Sequence, residues 1–191
     1  MNCQITLPDW VIRETEQLPK FIPDVEQRMR AVIRFSKLNF ENGTGGPFAA
    51  GIFEVESGAL ITIGVNRVVP LNMSSAHAEI VAISMAQRIL NTFDLGGPGM
   101  ADHQLVVNGR PCAMCFGSIP WSGIRSVVVG ASGDQIEALT GFDEGPIHPN
   151  WQSELRQRGI EVTEDVLAEE ACEVFRKFRD SDSPVYNGRS G

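Results

Sequence analysis

Basic residues are scarce in this chain. Of its 191 residues, 16 are Lys or Arg and 24 are Asp or Glu, a formal net charge of −8. An acidic surface repels a phosphate backbone, which counts against a protein whose main work is holding nucleic acid. Cysteine is sparse as well: four residues, too few and too unevenly spaced for a secreted disulfide scaffold. No run of about 18 apolar residues occurs, so no membrane-spanning helix is expected. No basic residue precedes Arg13, so the start lacks the charged region of a signal peptide. These absences point to the cytoplasm. Repeats and low-complexity tracts are missing too. Hydrophobic residues at 42% against 21% charged exclude a disordered polymer and leave enough apolar surface for a core.

The pattern divides the chain into an arm (1–23), a body (24–179) and a polar tail (180–191). Pro8, Pro19 and Pro23 punctuate the arm, and Trp10, Val11 and Ile12 are candidates to dock it. A helix is expected over 24–40, with Asp24 as its N-cap and Gly43, Gly45 and Gly46 ending it. A hairpin over 49–55 and 60–66 follows. A helix over 77–90, capped by Ser74 or Ser75, leads to a strand over 104–107. A short helix starts near Cys112 and stops before Pro120, because proline breaks a helix interior. Val127, Val128 and Val129 sit in a strand over 124–129, as in strands buried on both faces. The next strand, 160–163, comes about 30 residues after Gly130, room for a helical crossover. A last helix covers 165–178. The implied fold class is α/β: a three-layer α/β/α sandwich around a mixed five-stranded sheet.

Two short motifs carry chemistry: His77-Ala78-Glu79 and Pro111-Cys112-Ala113-Met114-Cys115. A catalytic zinc takes three protein ligands and keeps a fourth position for water. One imidazole and two thiolates supply those three. Each motif opens an expected helix, and a helix N-terminus favours thiolate. Glu79, two residues after His77, is placed to handle protons rather than to ligate. A Cys-x-x-Cys alone also suits a redox pair or half of a structural zinc site. The joint pattern is the zinc deaminase signature H-x-E…P-C-x-x-C.

On these residues the chain resembles the cytidine deaminase-like superfamily of zinc-dependent deaminases, over roughly 24–178. The resemblance implies Zn2+ held by His77, Cys112 and Cys115. It also implies a metal-activated water attacking an amidine carbon, with Glu79 moving the proton and ammonia leaving. Three further runs, Gly45-Gly46-Pro47-Phe48, Gly64-Val65-Asn66 and Gly141-Phe142-Asp143-Glu144, resemble the bacterial guanine deaminase branch. That branch implies a free purine base as substrate. It places Phe48, Asn66, Ala78 and Trp121 around the base and makes Glu144 a second catalytic carboxyl. Ser183-Pro184-Val185-Tyr186-Asn187 resembles tails that fold over the substrate, which brings in Tyr186 and implies a homodimer able to exchange tails. One residue departs from the pattern: Arg110 stands before Pro-Cys, where relatives usually carry an acid. Cys3 and Cys172 are expected to have no chemical role. Competing readings are a tRNA adenosine deaminase, another nucleobase or nucleoside deaminase, and a zinc-stabilised binding module. The last has no use for Glu79.

Overall fold

The sheet runs in the order β2-β1-β3-β4-β5 in the computed structural model, which describes residues 4–188. β1 (Ala49–Glu54) and β2 (Leu60–Val65) form the expected antiparallel hairpin, and β3 (His103–Gly109) pairs antiparallel with β1. β4 (Ser126–Ala131) and β5 (Glu161–Thr163) then add in parallel. Side chains alternate between the two faces, as the period of a strand requires. Phe53, Val106 and Val128 meet helices α2 (Val25–Glu41) and α8 (Ala168–Arg179). Ile52, Leu105, Val107, Val127 and Val129 meet α4 (Ala78–Ile89), α5 (Ala113–Ser122) and α7 (Trp151–Arg156). The result is the three-layer sandwich with a mixed five-stranded sheet.

Close packing at one glycine sets the position of the site. A Cβ on Gly64 would lie 2.5 Å from the Ala82 nitrogen and 2.7 Å from the Ala78 carbonyl. Only a residue without a side chain lets α4 lie directly on β2. The start of α4, with His77 and Glu79, is thereby held at the end of the hairpin.

The local expectations fare unevenly. Asp24 caps α2, its carboxylate accepting from Gln27 N at 2.8 Å. The arm contains a helix, α1 (Asp9–Glu16), that the prolines had hidden. Trp10 and Val11 dock it: the indole sits 5.8 Å from the Phe35 ring and donates to Thr44 Oγ1, and Val11 is fully buried. Ile12 stays half exposed, so it is not part of the contact. Neither Ser74 nor Ser75 caps α4. His77 holds the N-cap position and makes no capping bond with its side chain. Pro120 does not stop α5, which continues to Ser122 and ends at Gly123 in the left-handed conformation. Proline already has a helical φ, and the buried Ile119 and Ile124 on either side hold the last turn.

Two helices were not foreseen besides α1, a short one after the hairpin and the second of two in a crossover expected to hold one. A single turn, α3 (Val68–Leu71), follows β2. The crossover from β4 to β5 contains α6 (Gly133–Thr140) and α7. A capping box of Ser132 and Gln135 starts α6, a signal present in the sequence as S-x-x-Q. Cys172 packs in the α2/α8 core, while Cys3 and the last three residues of the tail lie outside the described residues.

Candidate active site

Both chemical motifs sit at helix starts. His77 is the N-cap residue of α4 and Cys112 that of α5, with Glu79 and Cys115 in the first turns. Although 35 residues apart in sequence, the Cys112 sulfur and His77 Nδ1 lie 3.5 Å from each other. The donor atoms of His77, Cys112 and Cys115 all fall within 4.8 Å. Tetrahedral zinc with Zn–S about 2.3 Å and Zn–N about 2.0–2.1 Å needs donors about 3.5–3.8 Å apart. The three side chains fit that ion. Among the described residues the cluster has three members, which leaves one coordination position for a water or substrate atom.

Burial and neighbouring charge set the protonation of this cluster. A hydrogen bond from the Cys115 thiol, helped by His77, pulls Cys112 down to about 4 against the effect of burial, so it is a thiolate. Cys115 is pushed well up, first by donating that bond and then by burial. Burial alone would lower His77, but its hydrogen bond to Cys112 and the charge of Glu79 raise it. Glu79 is raised to about 7, by burial and by the Cys112 thiolate. Glu144 goes further, to about 8, for the same two reasons and the charge of Glu79, with Arg110 acting in the opposite direction. These directions hold for the metal-free cluster; a bound divalent cation favours the ionised form of both carboxyls.

The family-model comparison matches residues 23–131 to the cytidine and deoxycytidylate deaminase zinc-binding region. The chain belongs to this deaminase family. It is 36% identical over 139 residues to the guanine deaminase of Bacillus subtilis, covering 71% of this chain and 83% of that one. It is 29% identical over 160 residues to a tRNA-specific adenosine deaminase of Aquifex aeolicus, covering 82% and 97%. Among solved structures, the guanine deaminase of Nitrosomonas europaea superposes with a TM-score of 0.90 at 43% identity, covering 95% of this chain and 99% of that one.

The deaminase cluster opens into a cavity of about 220 Å³. Phe48, Asn66, Ala78, Glu79, Glu144 and Tyr186 all line it, with His77 and Cys112 at its floor. Phe48 packs against Phe142 and Phe175, each ring centroid at 5.4 Å. Asn66 is buried, and its side-chain oxygen accepts from Gly46 N and Val68 N. Tyr186 lies over Gly46, where a Cβ would collide with the phenol oxygen, and its ring sits 4.7 Å from Phe142. Its hydroxyl is raised, by burial and then by Glu144.

Trp121 is the correction. It is 87% exposed and does not line the cavity. An α-helix turns 100° per residue. Six residues beyond Cys115, Trp121 is about 240° further round α5 and faces away, whereas Ile119, four residues on, stays on the buried stripe. Sequence reading also undervalued Phe142, Asp143, Arg110 and Asn187, which line the same cavity. Phe142 and Asp143 stand inside a motif already singled out; their role was masked by attention to its last residue.

Proposed function

We propose that this deaminase removes the exocyclic amine of free guanine, yielding xanthine and ammonia. The observation that carries the reading is a small aromatic cavity with two buried carboxyls, Glu79 and Glu144, on one zinc site. At about 220 Å³ it is smaller than the roughly 300–1,000 Å³ of sites for drug-sized ligands, and suits a single base. The guanine deaminases named above support the choice of base. Solved relatives similar to this chain hold 8-azaguanine and 2,6-diaminopurine, both purine-like rings with an exocyclic amine.

Zinc, when bound by His77, Cys112 and Cys115, lowers the pKa of a water to about 7. Glu79 would take a proton from the attacking water and pass it to the ring nitrogen next to the amine-bearing carbon. Glu144 would deliver a proton to the departing amine and regain one from the new hydroxyl as the carbonyl forms. Phe48 stacks on the flat ring, and the Asn66 amide donates to an acceptor on its edge. Tyr186 closes the cavity and keeps bulk water out.

A tRNA substrate fits less well. The cationic residues of the last helix are already paired: Arg176 with Glu169 and Glu173, Lys177 with Glu173, and Arg179 with Asp180. An ammonia-release panel decides the matter. Guanine is expected to turn over well above adenine, cytosine, their nucleosides and a tRNA anticodon stem-loop. Preference for the stem-loop would overturn the assignment, and silence across the panel would favour a binding module.

The reading extends to a homodimer. Phe93 and Trp121, 84% and 87% exposed, flank Ser84 and Gln87 on the outer side of α4 and α5. Met114, one heptad before Trp121, shares that side of α5 and is 40% exposed. Large apolar groups in a row call for a covering surface, and a second copy supplies an identical patch. Trp121→Arg is expected to weaken self-association about 30-fold or more, as loss of a buried tryptophan anchor does. Sedimentation velocity reads the result, and an unchanged dimer would reject this face. Tyr186 and Asn187 of the tail line the cavity, and in the proposed homodimer the two tails can be exchanged. The reading places the enzyme in the cytoplasm, whose reducing conditions suit two thiol ligands; among the described residues no helix is long and apolar enough to cross a membrane.

A further inference from the structure

The segment that carries Glu144 has little structure of its own. Residues 141–145 form neither helix nor strand. Two of its backbone bonds are local: Phe142 N donates to Thr140 Oγ1, and Gly145 N donates to Asp143 Oδ1. One tie comes from the metal helix, where Ala113 N donates to the Glu144 carbonyl at 3.0 Å. The other comes from the tail. Asp143 N donates to Asn187 Oδ1 at 2.9 Å, and Asn187 Nδ2 donates to the Gly141 carbonyl at 2.8 Å. One planar amide thus meets an N–H and a C=O of the same loop across more than 40 residues of sequence. The N–H is that of Asp143, the residue immediately before Glu144.

We propose that Asn187 is a positioning residue for Glu144: its side-chain amide clasps the C-terminal tail to the loop bearing that carboxyl, so that closing the tail over the base also sets the second proton donor. The inference rests on the role given to Glu144 above. Tyr186, the neighbour of Asn187, occupies the slot over Gly46 and packs at a tilt against Phe142. The same two tail residues therefore cover the base and hold the loop. The amide bonds lie at the surface, where water competes for both groups, so the clasp can open to admit the base and release the product. An amide is the side chain that satisfies both partners: a carboxylate keeps an acceptor for Asp143 N but repels the Gly141 carbonyl, and alanine serves neither.

The test is a double-mutant cycle on the zinc-loaded full chain, with guanine as substrate and single-turnover ammonia release as readout. Asn187→Ala is expected to lower kcat about 10- to 100-fold, the size of effect that follows a catalytic group misplaced by about 1 Å. Asn187→Asp recovers part of the loss. In a Glu144→Gln background the same Asn187→Ala change is expected to have less than a twofold effect, because the group it positions is gone. Equal losses in both backgrounds would show that Asn187 acts on the base or the fold directly and would overturn the proposal, as would wild-type kcat for Asn187→Ala. If Glu144→Gln alone leaves turnover unchanged, the role given to Glu144 fails, which separates that failure from one of the clasp.

Discussion

Glu79→Gln is expected to retain zinc and lose ammonia release. The substitution preserves shape and removes only the ability to take up and release a proton. Glu79 is 6% exposed, in the first turn of α4, and poised at about 7 by burial and by the Cys112 thiolate. A buried carboxyl beside the ligand cluster can accept a proton and return it within one cycle. Loss of an acid–base group lowers the rate about 10²–10⁴-fold. Glu79 is the carboxyl to which the first proton transfer is assigned, so the upper end of that range is expected. The ligands His77, Cys112 and Cys115 are untouched, so metal content by elemental analysis stays at the wild-type level. Turnover of guanine within tenfold of wild type would remove Glu79 from the shuttle, and loss of zinc would make it structural.

Glu144→Gln is expected to lower kcat about 10²–10⁴-fold and, in the zinc-free protein, to raise stability. The second effect follows from linkage. Burial and two neighbouring anionic groups raise the folded carboxyl from 4.5 to about 8. Between those values the folded protein keeps a proton that the unfolded chain has released, so stability falls as pH rises. At pH 7 this amounts to about 3 kcal/mol for the single group. Glutamine does not titrate and escapes the penalty. Thermal melts of the zinc-free proteins are expected to separate above pH 4.5, with the variant higher, and to converge below it. A variant less stable than wild type at pH 7 would show that the carboxyl is held ionised by contacts that outweigh its burial. A residue that costs stability and contributes rate is a functional residue rather than a packing one.

Much of this was legible before any coordinates. The donor set is so because zinc restricts residue type: one imidazole and a Cys-x-x-Cys at a helix start leave few alternatives. The hairpin and the buried β4 strand follow from alternation and from a run of valines. Asp24 before a periodic stretch marks its own cap. Other features were present in the sequence but ambiguous. Ser132 and Gln135 spell a capping box that goes unnoticed within a long crossover, and Pro120 reads as a stop because its neighbours' burial is not visible locally. Ser74 and Ser75 read as caps, yet the metal-site histidine takes the N-cap position. Trp121 shows the cost of arguing from proximity along the chain: nearness to Cys115 suggests the cavity, and helix phase turns the ring outward.

The sequence alone determined which chemistry is available, because ligand type, the His77–Glu79 offset and strand periodicity are local properties. The resemblance of three runs to guanine deaminases added Glu144, Phe48 and Asn66 as candidates for a purine site. Only the tertiary structure decided that these runs meet in one cavity of about 220 Å³. It alone decided that two carboxyls there are raised toward neutrality, since desolvation depends on what surrounds a group and not on its neighbours in the chain. The bond between Asn187 and the loop before Glu144 belongs to the same class. It joins residues 44 apart, and no local pattern encodes a contact of that length.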